Sequence, residues 1–589
     1  MKLKLQDGTV GDRIILALIG ALAGLAVWVL VEVLPEQVAN KRLLLFVTTA
    51  TGGFFVAFLA AIGPLSLLRA AWAAAVAAMP AAGLLTWAST RFDAVDGSLE
   101  TLHPLVAYAV ILLVSMPFLI AGQRAGDGWR DYPALFRESW NIVVRYAAAL
   151  LFVGVFWALV LVSDALFSLV GLTIIEDLIE TEPVPYLLSG AVLGLALAVV
   201  VELSDYLSPF LVLRLLRLLV PVVVVVIAVF LAALPLRGLS DLFGGLSAAA
   251  ILLAMAGGVA TLITSALDRD DDEAAQGAVT RMAVQLLALS LPVLAGLAMF
   301  SVWLRVKDYG WTPDRLAAMT AAGIVTSYGV LYAVSVLARG DWPGRIRKAN
   351  ILMALVTVAV AVLWLTPVLN PQRISASNQI ARFVSGKTDI ERLDLWFLGR
   401  ELGRAGENAV AELAALDPAS EALNKALARL ATAQSRYDFE QRWLAGDPPD
   451  LIAAITADIA VLPAGAVLPA DALEAAFVGD QSAWASGCAR RTPLGRPGCA
   501  VLMADFLEKR PGDEALMFWM TGPASAAVQI MQSATATEHS DGGLVFLSGN
   551  QFTDITPATL DALRDGSFSL APAAVLSLGV NGVRIILQP

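Results

Sequence analysis

The sequence predicts an α-helical polytopic membrane bundle of about eleven transmembrane helices, followed by a soluble α+β C-terminal domain. Three observations predict it. Of 589 residues, 58% are hydrophobic and only 15% charged, against about 25% charged in an ordinary soluble domain. Apolar runs of the length a bilayer core requires, about 20 residues, recur along the first 370 positions. Beyond Asn370 the runs stop, and amphipathic helices and short β-rich segments replace them. A soluble globule and a disordered chain are both excluded, since disorder needs low hydrophobicity with high net charge.

The apolar runs lie at about 14–34, 43–62, 70–88, 104–122, 143–165, 185–202, 210–235, 244–266, 282–304, 315–337 and 350–368. The run from Ile14 is too long for the apolar core of a signal peptide and has no Ala-x-Ala site after it, so it is expected to remain as the first anchor. From Val143 to Leu172 the chain is almost continuously apolar around Asp164. Either one long tilted helix or a span with an interfacial turn satisfies that pattern. Next, Thr173-Ile-Ile-Glu176-Asp-Leu-Ile-Glu180 carries a capping box and alternating faces, and is expected to form a short helix on the membrane surface.

Orientation follows from the retention of Lys and Arg in cytoplasmic loops. With the N-terminus inside, inner segments hold 16 basic residues and outer ones 7. The strongest contribution is Arg339, Arg345, Arg347 and Lys348, just before the last span. Eleven crossings then divide the chain into a transmembrane bundle, 1–370, and an extracytoplasmic domain, 371–589. In a bacterial cell that is the inner membrane with a periplasmic tail. The only cysteines, Cys488 and Cys499, lie in this tail with ten residues between them. An oxidising compartment favours a disulfide, worth roughly 3 kcal/mol in the chain-entropy model, with two free thiols as the alternative. Zinc is not expected, because the chain adds only His103 and His539 as soft ligands. No other metal and no cofactor is expected.

Ionisable groups inside spans are costly and mark candidate sites. Asp164 sits late in the fifth span, Glu202 and Asp205 end the sixth, and Arg214 and Arg217 open the seventh. Pairing of Glu202 and Asp205 with Arg214 or Arg217 would fix a helical hairpin; a proton relay through Asp164 is the sharper alternative. Gly20-x-x-x-Gly24 and Gly190-x-x-x-Gly194 permit close helix approach, as do the pairs at Gly52, Gly244 and Gly257. Packing within one bundle is expected of them. Pro80, Pro117, Pro221 and Pro292 lie inside runs and are candidate helix interruptions. The carboxylates of Asp268-Arg-Asp-Asp-Asp-Glu273 lack the spacing of a calcium loop and read as a solvated segment.

In the tail, a capping box at Thr388–Glu391 predicts a helix to about Leu416, Asp417-Pro418 starts a second with Leu423, Leu427 and Leu430 on one face, Asp450 a third and Asp471 a fourth. This helical part covers 388–480. A small antiparallel sheet over 513–589 is read from 515–520, 544–548 and the Asn581-Gly582 hairpin between 574–580 and 583–588. The domain carries no nucleophile elbow, zincin motif or phosphate loop. Glu538-His539-Ser540-Asp541 is expected to be a solvated turn, and Arg490, Arg491 and Arg496 form a basic knob beside the cysteines.

Ser139-Trp-Asn-Ile-Val-Val-Arg-Tyr146, Leu151-Phe-Val-Gly-Val-Phe-Trp157, Lys307-Asp-Tyr-Gly-Trp-Thr-Pro-Asp-Arg315 and Asn370-Pro-Gln-Arg-Ile-Ser-Ala-Ser-Asn-Gln379 resemble a group of bacterial multipass proteins defined by a domain of unknown function. The resemblance covers most of 130–415, implies an inner-membrane location and supplies no activity. Within it, Tyr309, Trp311, Asp314 and Arg315 form a candidate outer-surface site, with a structural turn as the bland alternative. Three function classes remain. The first is a non-enzymatic envelope protein, a scaffold or signal-coupling element whose tail binds an envelope protein or polymer. The second is a transporter or lipid-translocating protein, and the third, less favoured, a glycosyl- or acyltransferase. The balance leans away from an enzyme. Besides the lipid bilayer no partner is specified, the net charge of −11 gives no footprint for nucleic acid, and oligomeric state stays open.

The topology predicts that Cys488 and Cys499 in intact spheroplasts react with a membrane-impermeant maleimide only after reduction. A requirement for lysis, with or without reductant, would place the tail in the cytoplasm.

Overall fold

The computed structural model describes residues 10–124, 128–202, 209–237, 248–271, 274, 277–416, 421–445, 448–469, 471–476, 478–504, 514–531, 547–548, 551–552, 555–568, 577–580 and 583–586. Among these, eleven helices are long and apolar enough to cross a membrane: Val10–Gln37, Lys41–Ala61, Leu67–Ser89, His103–Gly122, Tyr132–Ser168, Val184–Glu202, Val212–Leu234, Ala249–Leu267, Ala278–Tyr309, Pro313–Leu337 and Trp342–Leu365. Each coincides with one apolar run. The fifth is a single helix of 37 residues, about 55 Å long at 1.5 Å per residue, so the one-helix alternative around Asp164 is the one observed. The expected surface helix forms over Ile174–Glu180. Its cap differs, because the Thr173 hydroxyl donates to the Asp177 carboxylate (3.1 Å) instead of closing a box with Glu176.

The first and sixth spans make the most extensive helix pair, and both predicted glycine motifs lie in it. A Cβ placed on Gly20 would overlap the Gly190 carbonyl, one on Gly24 the Tyr186 carbonyl, and one on Gly194 the Leu16 carbonyl. Only glycine permits backbones this close. The pair is antiparallel and pinned at both ends. At one, the Arg13 guanidinium donates to the Glu202 carboxylate at 2.6 and 2.9 Å. At the other, the Trp28 indole donates to Glu182 (3.1 Å) and the Tyr186 hydroxyl to Glu32 (2.8 Å). Opposite directions for spans one and six are what alternating crossings require.

Two cores divide the bundle. One gathers Leu16, Ala57, Ala74, Met116, Ile120 and Leu197 from the first six spans. The other gathers Val220, Ile263, Leu287, Leu291, Tyr332 and Ile346 from the last five. In the second, Gly329 lies against Pro292, whose ring nitrogen would be 2.7 Å from an added Cβ. That proline sits inside a helix, as do Pro80 and Pro117. The eleventh span also reaches the first half, where Ala361, Trp364 and Leu365 pack with Leu85 and Ile111.

The first compact unit runs to Leu413 and the second from Ala414, so the structural division lies beyond the change of composition at 370. The helices Pro371–Val384 and Gly403–Ala414 belong to the first unit, and the Arg404 N–H donates to the Arg91 carbonyl (2.9 Å). The continuous helix expected from Thr388 does not form. Only the turn Ile390–Arg392 follows, with Asp389 at its N-cap and no side-chain cap bond, and Asp394 caps a new start by accepting from the Phe397 N–H (2.9 Å). Gly403 then breaks the run at φ +55°, a left-handed conformation in which a Cβ would meet the Arg91 carbonyl at 2.6 Å.

In the second unit, helices Glu421–Thr432, Arg436–Ala445, Pro448–Asp458 and Val478–Ala489 precede and flank a four-stranded sheet. Leu423 and Leu430 are buried as the heptad-like spacing requires; Asp417-Pro418 lies outside the described residues. The helix expected at Asp471 starts at Val478 instead. The sheet is β1 (Ala460–Leu462), β2 (Cys499–Ala504), β3 (Glu514–Met520) and β4 (Ala526–Met531), in that order. It is mixed rather than antiparallel, because β1 pairs with β2 in parallel. Strand β2 escaped the sequence reading because it is buried on both faces and therefore shows no alternation. Ser577–Val580 and Val583–Ile586 pair as the Asn-Gly signal predicts, with Val580 opposite Val583. The turn itself, Gly244, Gly245, Glu273 and the Glu538–Asp541 cluster lie outside the described residues.

Cys488 and Cys499 form a disulfide with Cα atoms 4.6 Å apart, tying helix Val478–Ala489 to β2. Both are buried beside Trp484 and Met517. The basic knob is largely neutralised: Arg491 faces Asp458 at 3.6 Å and Arg496 pairs with Asp565 at 2.7 Å.

The glycine seam predicts that Gly190→Leu lowers the melting temperature of the detergent-solubilised protein by more than an overpacked core normally does, about 1–3 kcal/mol. Gly258→Leu, with open space at its Cβ, is the matched control. Equal melting of the two variants would refute the seam.

Candidate functional site

Side-chain chemistry gathers at the two ends of the bundle and in one cavity between its halves. At the end holding Arg13, buried charges are paired or bonded to carbonyls. Arg124 meets Glu138 at 2.6 Å, Arg145 donates to the Ile62 carbonyl (3.0 Å), and Arg347 donates to the Leu267 carbonyl (2.7 Å) and to Asp271 (2.8 Å). Arg217 pairs with Asp268 and donates to the Ser265 carbonyl. For two of the four residues of the expected hairpin pairing the structure gives a partner outside the sixth–seventh hairpin: Arg13 holds Glu202 and Asp268 holds Arg217. Arg214 is exposed at the start of its span, and Asp205 lies outside the described residues.

Of the acidic loop, Asp268 and Asp271 take part in these contacts, and no cluster of three metal-ligating side chains occurs among the described residues. Asp164 is half-buried, roughly 30 Å along its helix from Val143 by the 1.5 Å rise.

At the opposite end the two motifs Lys307–Arg315 and Asn370–Gln379 meet. Asn378 accepts from the Trp311 N–H (2.9 Å), Ser375 donates to the Trp311 carbonyl (2.9 Å), and Gln379 donates to the Tyr309 carbonyl (3.2 Å). Thr312 caps the tenth span through the Arg315 N–H (3.3 Å). Arg315 donates to the Gly310 carbonyl (2.8 Å) and lies 5.5 Å over the Tyr309 ring, while Asp314 contacts His103 at 2.8 Å. The candidate residues Tyr309, Trp311, Asp314 and Arg315 do converge, but these hydrogen bonds are internal. They form a latch between the turn and the helix Pro371–Val384.

Between the halves lies a cavity of about 550 Å³, lined by the fourth, fifth, eighth, tenth and eleventh spans. Its walls include Pro117, Phe136, Trp140, Val143, Gly257, Ala260, Ile324 and Tyr328. Asn350 stands at one end, where the Tyr332 hydroxyl donates to its Oδ1 and its amide donates to the Tyr132 hydroxyl (3.0 Å). This chain of three polar groups joins the fifth, tenth and eleventh spans. No carboxylate, imidazole or thiol lines the cavity. Ser139, Thr261 and Thr264 also line it, their hydroxyls donating to carbonyls of their own helices, so the cavity can seat a largely apolar body and hydrogen-bond one polar end.

Sequence reading missed this site because its members are uncharged. A lone Asn inside an apolar run, with Tyr328 and Tyr332 four apart on a neighbouring span, is the signal that was available. Glu138 and Arg145, both in the fifth helix, are further buried charges.

The family described as a domain of unknown function, DUF4153, matches residues 22–413. The match begins in the first span and ends at the last residue of the first compact unit. No curated protein and no solved structure matches the chain.

Replacing Asn350 by Ala leaves two tyrosine hydroxyls without their shared partner. A loss of about 1–3 kcal/mol follows from the cost of an unsatisfied buried polar group, read as a lower melting temperature. An unchanged melting temperature would show that the three groups are not coupled.

Proposed function

The chain belongs to the DUF4153 family, a domain of unknown function, and we propose that it is a lipid-handling protein of the bacterial inner membrane which seats an amphiphile between the two halves of its bundle. The observation that carries this reading is the cavity with apolar walls and a Tyr-Asn-Tyr end. Its volume falls within the 300–1,000 Å³ typical of small-ligand sites. The Tyr-Asn-Tyr group at one end and mostly apolar side chains along the rest match an acyl chain with a polar head. A lining without carboxylate, imidazole or thiol supports binding or passage over chemistry. Two separately packed halves, sharing the eleventh span, are the arrangement that a rocking or opening motion around such a site requires.

In the same reading the N-terminus is cytoplasmic and the disulfide-bonded tail periplasmic, where it offers a surface to an envelope protein or polymer. The buried disulfide supports an oxidising compartment, and the excess of inner basic residues supports the orientation.

Gly257 lines the cavity with open space at its Cβ, and the adjacent Gly258 is exposed on the outer face. Gly257→Phe is therefore expected to fill the cavity, and Gly258→Phe to leave it open. Purified protein is crosslinked with a diazirine fatty acid and the labelled peptides are identified. Labelling of cavity-lining peptides in wild type and Gly258→Phe, but not in Gly257→Phe, is the expected result. Equal labelling in all three would remove the support for an intramembrane amphiphile site.

A further inference from the structure

A second cavity, of about 330 Å³, lies at the end of the bundle that carries the latch, and its walls are cationic. Arg91, Arg373 and Arg404 line it together with Asn370, Asn408 and Glu412. Charge bookkeeping separates the three arginines. Arg404 is already paired, its Nε 3.0 Å from Asp93. Arg91 is half-buried and donates only to neutral acceptors, the carbonyls of Trp364 (2.6 Å) and Thr366 (2.8 Å) and the Gln372 amide at 3.5 Å. Burial pulls its pKa down to about 10, and no carboxylate opposes that shift. Arg373 is exposed, and its side chain meets no ionic or hydrogen-bonding partner among the described residues.

A guanidinium taken partly out of water without a counter-charge is costly, which is the position of half-buried Arg91; exposed Arg373 adds a second cation without a counter-charge at the same cavity, and together they favour an anion. Three guanidiniums approach from separate elements: the loop after the third span, the helix Pro371–Val384 and the helix Gly403–Ala414. Donors converging from several directions suit a tetrahedral oxyanion better than a planar carboxylate, and Arg forks match phosphate oxygens in pairs. Glu412 is the one acid in the lining. A carboxylate there repels a bare anion but accepts from a hydroxyl, so the wall combines phosphate donors with a hydroxyl acceptor.

We propose that this cavity binds a phosphate ester bearing a hydroxylated group, with Arg91 and Arg373 holding the phosphate and Glu412 facing the hydroxyl side. The ester can be a soluble molecule or the headgroup of an anionic lipid. The site is independent of the intramembrane cavity and stands or falls without it.

The test uses the full chain. Glycerol 3-phosphate is titrated into detergent-purified protein by calorimetry, and the protein is separately captured on nanodiscs of phosphatidylglycerol or phosphatidylcholine. Arg373→Ala is the informative variant, because the Arg373 side chain has no ionic or hydrogen-bonding partner among the described residues; an unchanged ligand-free melting temperature verifies that it folds. Saturable binding of glycerol 3-phosphate, weakened at least tenfold in Arg373→Ala, supports the proposal with a soluble ligand. Preference for phosphatidylglycerol that Arg373→Ala abolishes supports it with a lipid headgroup. If neither probe distinguishes Arg373→Ala from wild type, the proposal is overturned.

Discussion

The bundle depends on two helix backbones lying in contact. Among apolar helices in lipid there is little hydrophobic gain in bringing one against another, so packing and hydrogen bonds must hold them. The seam of Gly20, Gly24, Gly190 and Gly194 supplies the packing, since no side chain separates the first and sixth spans along it. Polar contacts at both ends of the pair then fix its register. With spans one and six locked, the four spans between them in sequence close into one half of the bundle. The remaining five spans build the other half.

The same economy governs the charged groups. Nearly every buried arginine in the bundle donates to main-chain carbonyls where a helix ends, as Arg91 does at Trp364, Arg145 at Ile62 and Arg347 at Leu267. Helix C-termini leave carbonyls without intrahelical partners, and a guanidinium with five donors can satisfy several at once. These contacts tie spans distant in sequence, such as the third to the eleventh. They also leave positive charge at the cavity near Arg373, where the carbonyls take hydrogen bonds without neutralising the cation.

The chemistry of a site is easiest to see in a sequence when it is charged, and that bias explains where sequence reading succeeded. The glycine motifs, the cysteine pair and all eleven spans were legible because each is set by local spacing or by a run of one residue type. Glu202 was recognised as an interfacial acid, but its partner was sought in the neighbouring Arg214 and Arg217, whereas Arg13 lies 189 positions away. Likewise the helix read from Thr388 fails first at its start, where no capping box forms, and then at Gly403, whose left-handed backbone lies against Arg91 and Phe92.

Composition and periodicity alone determined that this is a multipass membrane protein with a separate acidic α+β tail, because hydrocarbon demands about 20 apolar residues per crossing whatever the neighbours are. The tertiary structure decided which helices touch, where the first unit ends, and which polar residues meet. Asn350 with Tyr132 and Tyr332, and Arg91 with Arg373 and Arg404, are drawn from segments up to some hundreds of positions apart. Nothing in the local spacing of such residues encodes their meeting. It follows from how the spans pack, and that packing is set by close approach and by partners for buried polar groups.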